Sequence, residues 1–215
     1  MSIATTLSKI RVNYLAKFIL LLALAIGAPV LGIHSQWITG SIVNMVLILS
    51  VFLVGVRGAV LIGLLPSTIA LGTGLLPAAL APMLPFIIIS NIILVLVFSI
   101  VGSLSRARSE SDEPRDLDGL HTNLHKYEHK FTQTHDDLTP ALSLLRRGGQ
   151  KYWLSLLLAA GLKFLFLFLT SSVVIKLLLN QKLAASVAQM MSWPQFYTAL
   201  VGGFLTFGIL KILKK

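Results

Sequence analysis

The sequence has no cysteine and almost no acid. Eight Asp and Glu stand among 215 residues, and all eight lie between Glu110 and Asp137. Without cysteine there are no disulfides, no thiolate metal ligands and no thiol nucleophile. Charge of either sign is scarce. Charged residues make up 12% of the chain, against about 25% in an ordinary soluble domain. Hydrophobic residues make up 55%, and mean hydropathy is +0.84. A soluble enzyme is excluded by these numbers. The net charge of +10 does not indicate nucleic acid here. Lys and Arg gather at the cytoplasmic ends of membrane spans, so the excess reports topology.

What remains is long uncharged runs. Phe18–Val56 and Gly58–Ser105 hold no charged side chain with His34 neutral. A helix crosses the hydrocarbon core with about 20 residues, so each run must be broken. Gly32-Ile33-His34-Ser35-Gln36-Trp37 interrupts the first. Gly72-Thr73-Gly74, followed by Pro77, Pro82 and Pro85, interrupts the second. The expected architecture is an all-α integral membrane protein, a six-helix transmembrane bundle. Its spans are 14–33, 38–56, 58–73, 79–102, 152–179 and 193–213. Residues 1–102 carry helices 1–4, 103–150 form a cytoplasmic polar, His-rich insert, and 151–215 carry helices 5 and 6. Each span is apolar all round, as buried or membrane helices are. A barrel would need alternating segments of about ten residues, and these runs are continuous.

The basic residues orient the bundle. Lys9 and Arg11 precede span 1, and Arg57 separates spans 2 and 3. Arg106 and Arg108 follow span 4. Arg146, Arg147 and Lys151 precede span 5, and Lys211, Lys214 and Lys215 follow span 6. These connections share one side, so both termini are expected in the cytoplasm and the protein in the cell membrane. Lys182, with Lys176 nearby, is a mild exception. The first span is expected to stay uncleaved, because its apolar run reaches Ile33 without a clear peptidase boundary.

Within the insert, Ser103–Asp116 reads as flexible polar chain. Leu117, Leu120, Leu124, Tyr127 and Phe131 then form a short helical stripe. His121, His125 and His129 recur every fourth residue and share one side of that helix. Two imidazoles at that spacing can hold one metal ion. Three in a row cannot all meet one ion, and no cysteine supports them. A solvated face is preferred, and no cofactor is expected.

Polar groups inside spans are costly and therefore candidates for function. Lys163 is foremost. It lies twelve residues after Lys151, or about 18 Å along the helix axis, near mid-bilayer. No span holds a carboxylate to pair with it. Its partners could be backbone carbonyls, Asn91 or Asn44, or an anionic ligand group. Gln36, Trp37 and Thr39 start span 2, Gln195 and Tyr197 start span 6, and Thr170, Ser171 and Ser172 lie in span 5. With Asn44, Asn91 and Lys163 they could line one outward-facing pocket. The substrate-binding set is thus Gln36, Trp37, Asn44, Asn91, Lys163 and Gln195. Trp37 could equally be an interfacial belt residue, and a Ser or Thr hydroxyl can bond its own helix. Ala23-x-x-x-Gly27 and Ala28-x-x-x-Gly32 have the spacing that lets helices approach closely.

Six short spans, with Gln36-Trp37-Ile38-Thr39-Gly40-Ser41-Ile42-Val43-Asn44, Gly58–Pro66, Leu75-Leu76-Pro77 and Ala81–Asn91, resemble the substrate-binding (S) component of energy-coupling factor (ECF) transporters. The resemblance covers residues 12–102 and 151–213 and leaves out 103–150. It implies capture of a vitamin or similar micronutrient from outside. It implies docking on a membrane coupling subunit driven by two ATP-binding-cassette ATPases. The docking surface it implies is Ala23 and Gly27, with Ala28 and Gly32 as a second register. The chain has no phosphate-binding loop of its own, so the expectation is a binding subunit and not an enzyme. The partners expected are the coupling module, a small-molecule substrate and the lipid bilayer. The alternatives are a divalent-metal permease or sensor using the His-rich loop, or a non-transporting membrane interaction protein. A metal permease would place carboxylates or several His inside its spans, and there are none.

Overall fold

A computed structural model describes residues 3–30, 36–72, 78–111, 149–178 and 191–213. Among these residues the fold is all helical. Six α-helices occur, α1 (Ile3–Val30), α2 (Gln36–Leu53), α3 (Gly55–Gly72), α4 (Leu84–Ser111), α5 (Gly149–Leu178) and α6 (Trp193–Leu213). A short 3-10 helix, Ala78–Met83, leads into α4. No strand occurs among the described residues.

Among the described residues, three segments are long and apolar enough to cross a membrane: Ala81–Leu104, Gln150–Val173 and Trp193–Leu213. The apolar helical segments Asn13–Gly27, Trp37–Leu53 and Gly55–Ile69 are shorter.

The helix limits follow local chemistry. α2 and α3 are separated by a single turn residue, Val54, and then Gly55 at φ 75°. That left-handed conformation costs glycine nothing and other residues about 1–2 kcal/mol, so the reversal falls there rather than at Arg57. The proline-rich approach to α4 forms the 3-10 turn before Leu84, so the expected start at 79 is 3-10 rather than α-helix. α1 starts at Ile3, and its apolar part begins at Asn13, next to the expected span start at 14. One expectation about length needs correction. α4 continues to Ser111, so Ser103–Ser111 is helix and not flexible chain. Its Ser, Arg and Glu residues can extend a helix that is already nucleated, since propagation is far cheaper than initiation.

α2 is the centre of the bundle. From Asn44 to Ser50 every residue is buried, and α1, α3, α4 and α6 all pack against α2. α5 closes the remaining side against α4 and α6. α2 and α6 approach backbone to backbone. A Cβ on Gly202 would lie 2.6 Å from the Met45 backbone nitrogen and 2.8 Å from the Ser41 carbonyl oxygen. Thr206 Oγ1 donates to the Met45 carbonyl at 3.0 Å across this contact. Consecutive helices run in opposite directions. Phe52 late in α2, Phe98 midway along α4, Tyr152 early in α5 and Phe207 late in α6 therefore meet in one aromatic cluster. There Tyr152 Oη donates to the Gly203 carbonyl at 2.6 Å.

Candidate functional site: a buried lysine held by two amides

Lys163 projects from α5 into the interior and is 3% exposed. It is the only charged side chain among the buried described residues. Its Nζ donates to Asn44 Oδ1 at 2.6 Å and to Asn91 Oδ1 at 2.8 Å. Of the partners considered from sequence, the two amides are the ones it meets. These short contacts are charge-assisted bonds, stronger than neutral ones.

The amides are themselves fixed. Asn44 Nδ2 donates to Thr198 Oγ1 at 3.2 Å, and Thr198 Oγ1 donates onward to the Gln195 carbonyl at 3.2 Å. Asn91 Nδ2 donates to the Gly63 carbonyl at 3.4 Å. This last bond falls next to a helix defect. Pro66 has no N–H, so the Ile62 carbonyl, four residues back, lacks its usual donor. Gly63, on the same turn, lets α3 lie close to Leu47 and Asn91. An amide NH2 cannot donate to an ammonium, so both Asn residues must turn oxygen toward Lys163 and nitrogen away. Thr198 and Gly63 receive those nitrogens.

One polar centre thus joins α2, α3, α4, α5 and α6. The magnitudes are closely matched. A lysine at the centre of a helix in hydrocarbon costs about 2.5–3.5 kcal/mol. Hydrogen bonds to a charged group return about 1.5–3 kcal/mol each. The ammonium has three donors, and two are used. Among the described residues no third acceptor bonds it.

The other sequence candidates are not brought to this centre. Trp37 is 54% exposed and lies 6.2 Å, ring to ring, from Tyr197. Tyr197 in turn neighbours Trp193, which stacks on Phe164. These rings form a half-exposed aromatic row at the end of the bundle remote from Arg57 and Lys211. Gln36 opens α2 and its side chain is outside the described residues. Gln195 is half-buried, and its backbone carbonyl accepts from Thr198 Oγ1. Thr170 bonds the Phe166 carbonyl, and Ser171 and Ser172 bond that of Phe168. Those hydroxyls serve their own helix. Thr198 is the centre's residue that sequence reasoning missed, and one more threonine in an apolar helix carries no signal by itself.

On α1, Ala23 is exposed and a Cβ on Gly27 would meet nothing within 4 Å. The Ala25 side of the helix is buried. Ala23 and Gly27 therefore lie away from the core. The side chain of Ala28 and the whole of Gly32 lie outside the described residues, as do His121, His125 and His129. Among the described residues no group of three or more His, Asp or Glu could hold a metal ion.

No family model, curated protein or solved structure matches this chain. The residues themselves carry the functional reading.

Proposed function

We propose that the chain is a multi-pass membrane subunit that binds a small organic nutrient and passes it to a separately powered transporter, as ECF S components do. The observation that carries this reading is the Lys163 centre. A buried cation without a carboxylate is an expensive feature for a pure scaffold. It is well suited to hold a ligand between helices.

In this reading all six helices span the cell membrane, with both termini and the 103–150 insert in the cytoplasm. α2 and α3, at 18 residues each, are about 27 Å long against a hydrocarbon core of about 30 Å. The Lys and Arg asymmetry supports the orientation. Ligand enters at the end bearing Trp37, Trp193 and Tyr197. The open Ala23/Gly27 face of α1 receives the membrane coupling subunit, which two ABC ATPases drive.

The test is chemical. Full-length protein is purified from its native membrane and extracted with organic solvent, and the extract is compared by mass spectrometry with that of Lys163→Met. A small molecule near one per chain in the wild type, lost in the variant, is expected. An extract holding lipid alone in both refutes the binding role.

A further inference from the structure

We infer that the group recognised at Lys163 is a single negative charge, a carboxylate rather than a phosphate or a neutral polar group. This rests on the reading of the chain as a binding subunit and specifies the chemistry of its site.

The ammonium places two of its three N–H groups on Asn44 Oδ1 and Asn91 Oδ1. Both amide nitrogens face away, committed to Thr198 and the Gly63 carbonyl. Each NH2 keeps a second N–H, on a nitrogen turned away from the ammonium. The amides neutralise none of its charge, since an amide supplies only a dipole. What the lysine itself presents is one N–H and one net positive charge. A neutral ligand would leave that charge uncompensated in a buried setting, which is costly. A dianion would bring a second negative charge with no cation to meet it, because no other charged side chain is buried among the described residues. An unpaired buried ion is strongly disfavoured. A monoanion balances the site.

Asn91→Asp tests the balance directly. It keeps the oxygen that Lys163 contacts and places a negative charge beside Nζ. It sacrifices only the long 3.4 Å bond to Gly63. The lysine then has an internal counter-ion and no need of an external one. The thermal unfolding midpoint of full-length detergent-solubilised protein, freed of co-purified ligand by prolonged detergent exchange, is followed against acetate, acetamide and sulfate at matched ionic strength. Acetate should raise the wild-type midpoint in proportion to the logarithm of its concentration, as ligand linkage requires, and the rise should be lost in Asn91→Asp. Acetamide and sulfate should move both proteins equally. Lys163→Met serves the same comparison if Asn91→Asp does not fold.

An equal acetate response in wild type and variant overturns the inference. A sulfate response larger in the wild type overturns the preference for one charge. A neutral compound co-purifying at one per chain, with no acetate response, overturns the carboxylate and leaves the binding-subunit reading intact.

Discussion

Lys163 and Asn44, 119 residues apart in sequence, meet at 2.6 Å. The contact ties α5 to the central helix of the bundle. Either partner alone would be a buried polar group with an unmet hydrogen bond. Asn44→Ala is expected to destabilise the protein by about 1–3 kcal/mol, the cost of leaving a buried donor short of its acceptor. Lys163→Met leaves two amide oxygens unmet and should cost a similar amount. The double variant should cost less than the sum, because the two residues share one network. Thermal or denaturant unfolding in detergent reads all three. Strict additivity would show that the contact does not form.

The α2–α6 contact makes a sharper prediction about size. Gly202→Ala places a methyl 2.6 Å from the Met45 nitrogen, and two backbones must separate to admit it. A loss of about 1–3 kcal/mol is expected from such overpacking. Gly208→Ala, on the same helix with nothing within 4 Å, should be neutral or stabilising, since alanine favours the helix by about 1 kcal/mol. Equal unfolding midpoints for the two variants would contradict the close approach. Separation of α2 from α6 should also weaken ligand retention, because Thr198 and Asn44 lie on these two helices.

Much of this was legible in the sequence, and the limits have a physical origin. The uncharged runs require helices, and Gly32–Trp37 and Gly72–Pro77 mark where they break. Lys163 stands out because a lone cation at that depth needs a partner, and Asn44 and Asn91 are the amides within the spans able to supply one. The reversal at Gly55 was hidden behind Arg57, whose charge draws the boundary two residues too far. The position of α2 at the centre was not readable. Every helix is apolar all round, so no stripe distinguishes a core face from a lipid face. The role of Thr198 was invisible for the same reason, since its importance lies in which helix it faces.

The α1 face separates folding from coupling. Ala23→Leu and Gly27→Leu point away from the core, so both variants should keep the wild-type unfolding midpoint and the co-purified ligand. If this face receives the coupling subunit, bulky residues will hold the backbones apart and uptake in cells should fall by tenfold or more. Normal uptake by the double variant would assign docking elsewhere. A lowered midpoint would show that the face is part of the fold.

Orientation is open to direct labelling because the chain has no cysteine. Ser35→Cys should react with a membrane-impermeant maleimide in intact cells. Asp112→Cys should react only after the membrane is opened. Labelling of Asp112→Cys in intact cells would invert the topology and move the ligand's entrance to the opposite end.

The most direct measurement is a cryo-electron microscopy structure of the full-length protein, taken from its native membrane into lipid nanodiscs without added ligand and bound to an antibody fragment for size. Density is expected for a non-protein group about 3 Å from Lys163 Nζ, on the side away from Asn44 and Asn91, with both amide oxygens still on the ammonium. An ammonium enclosed by protein atoms alone, with a carbonyl in place of that group, would contradict this expectation and make the lysine a structural tie.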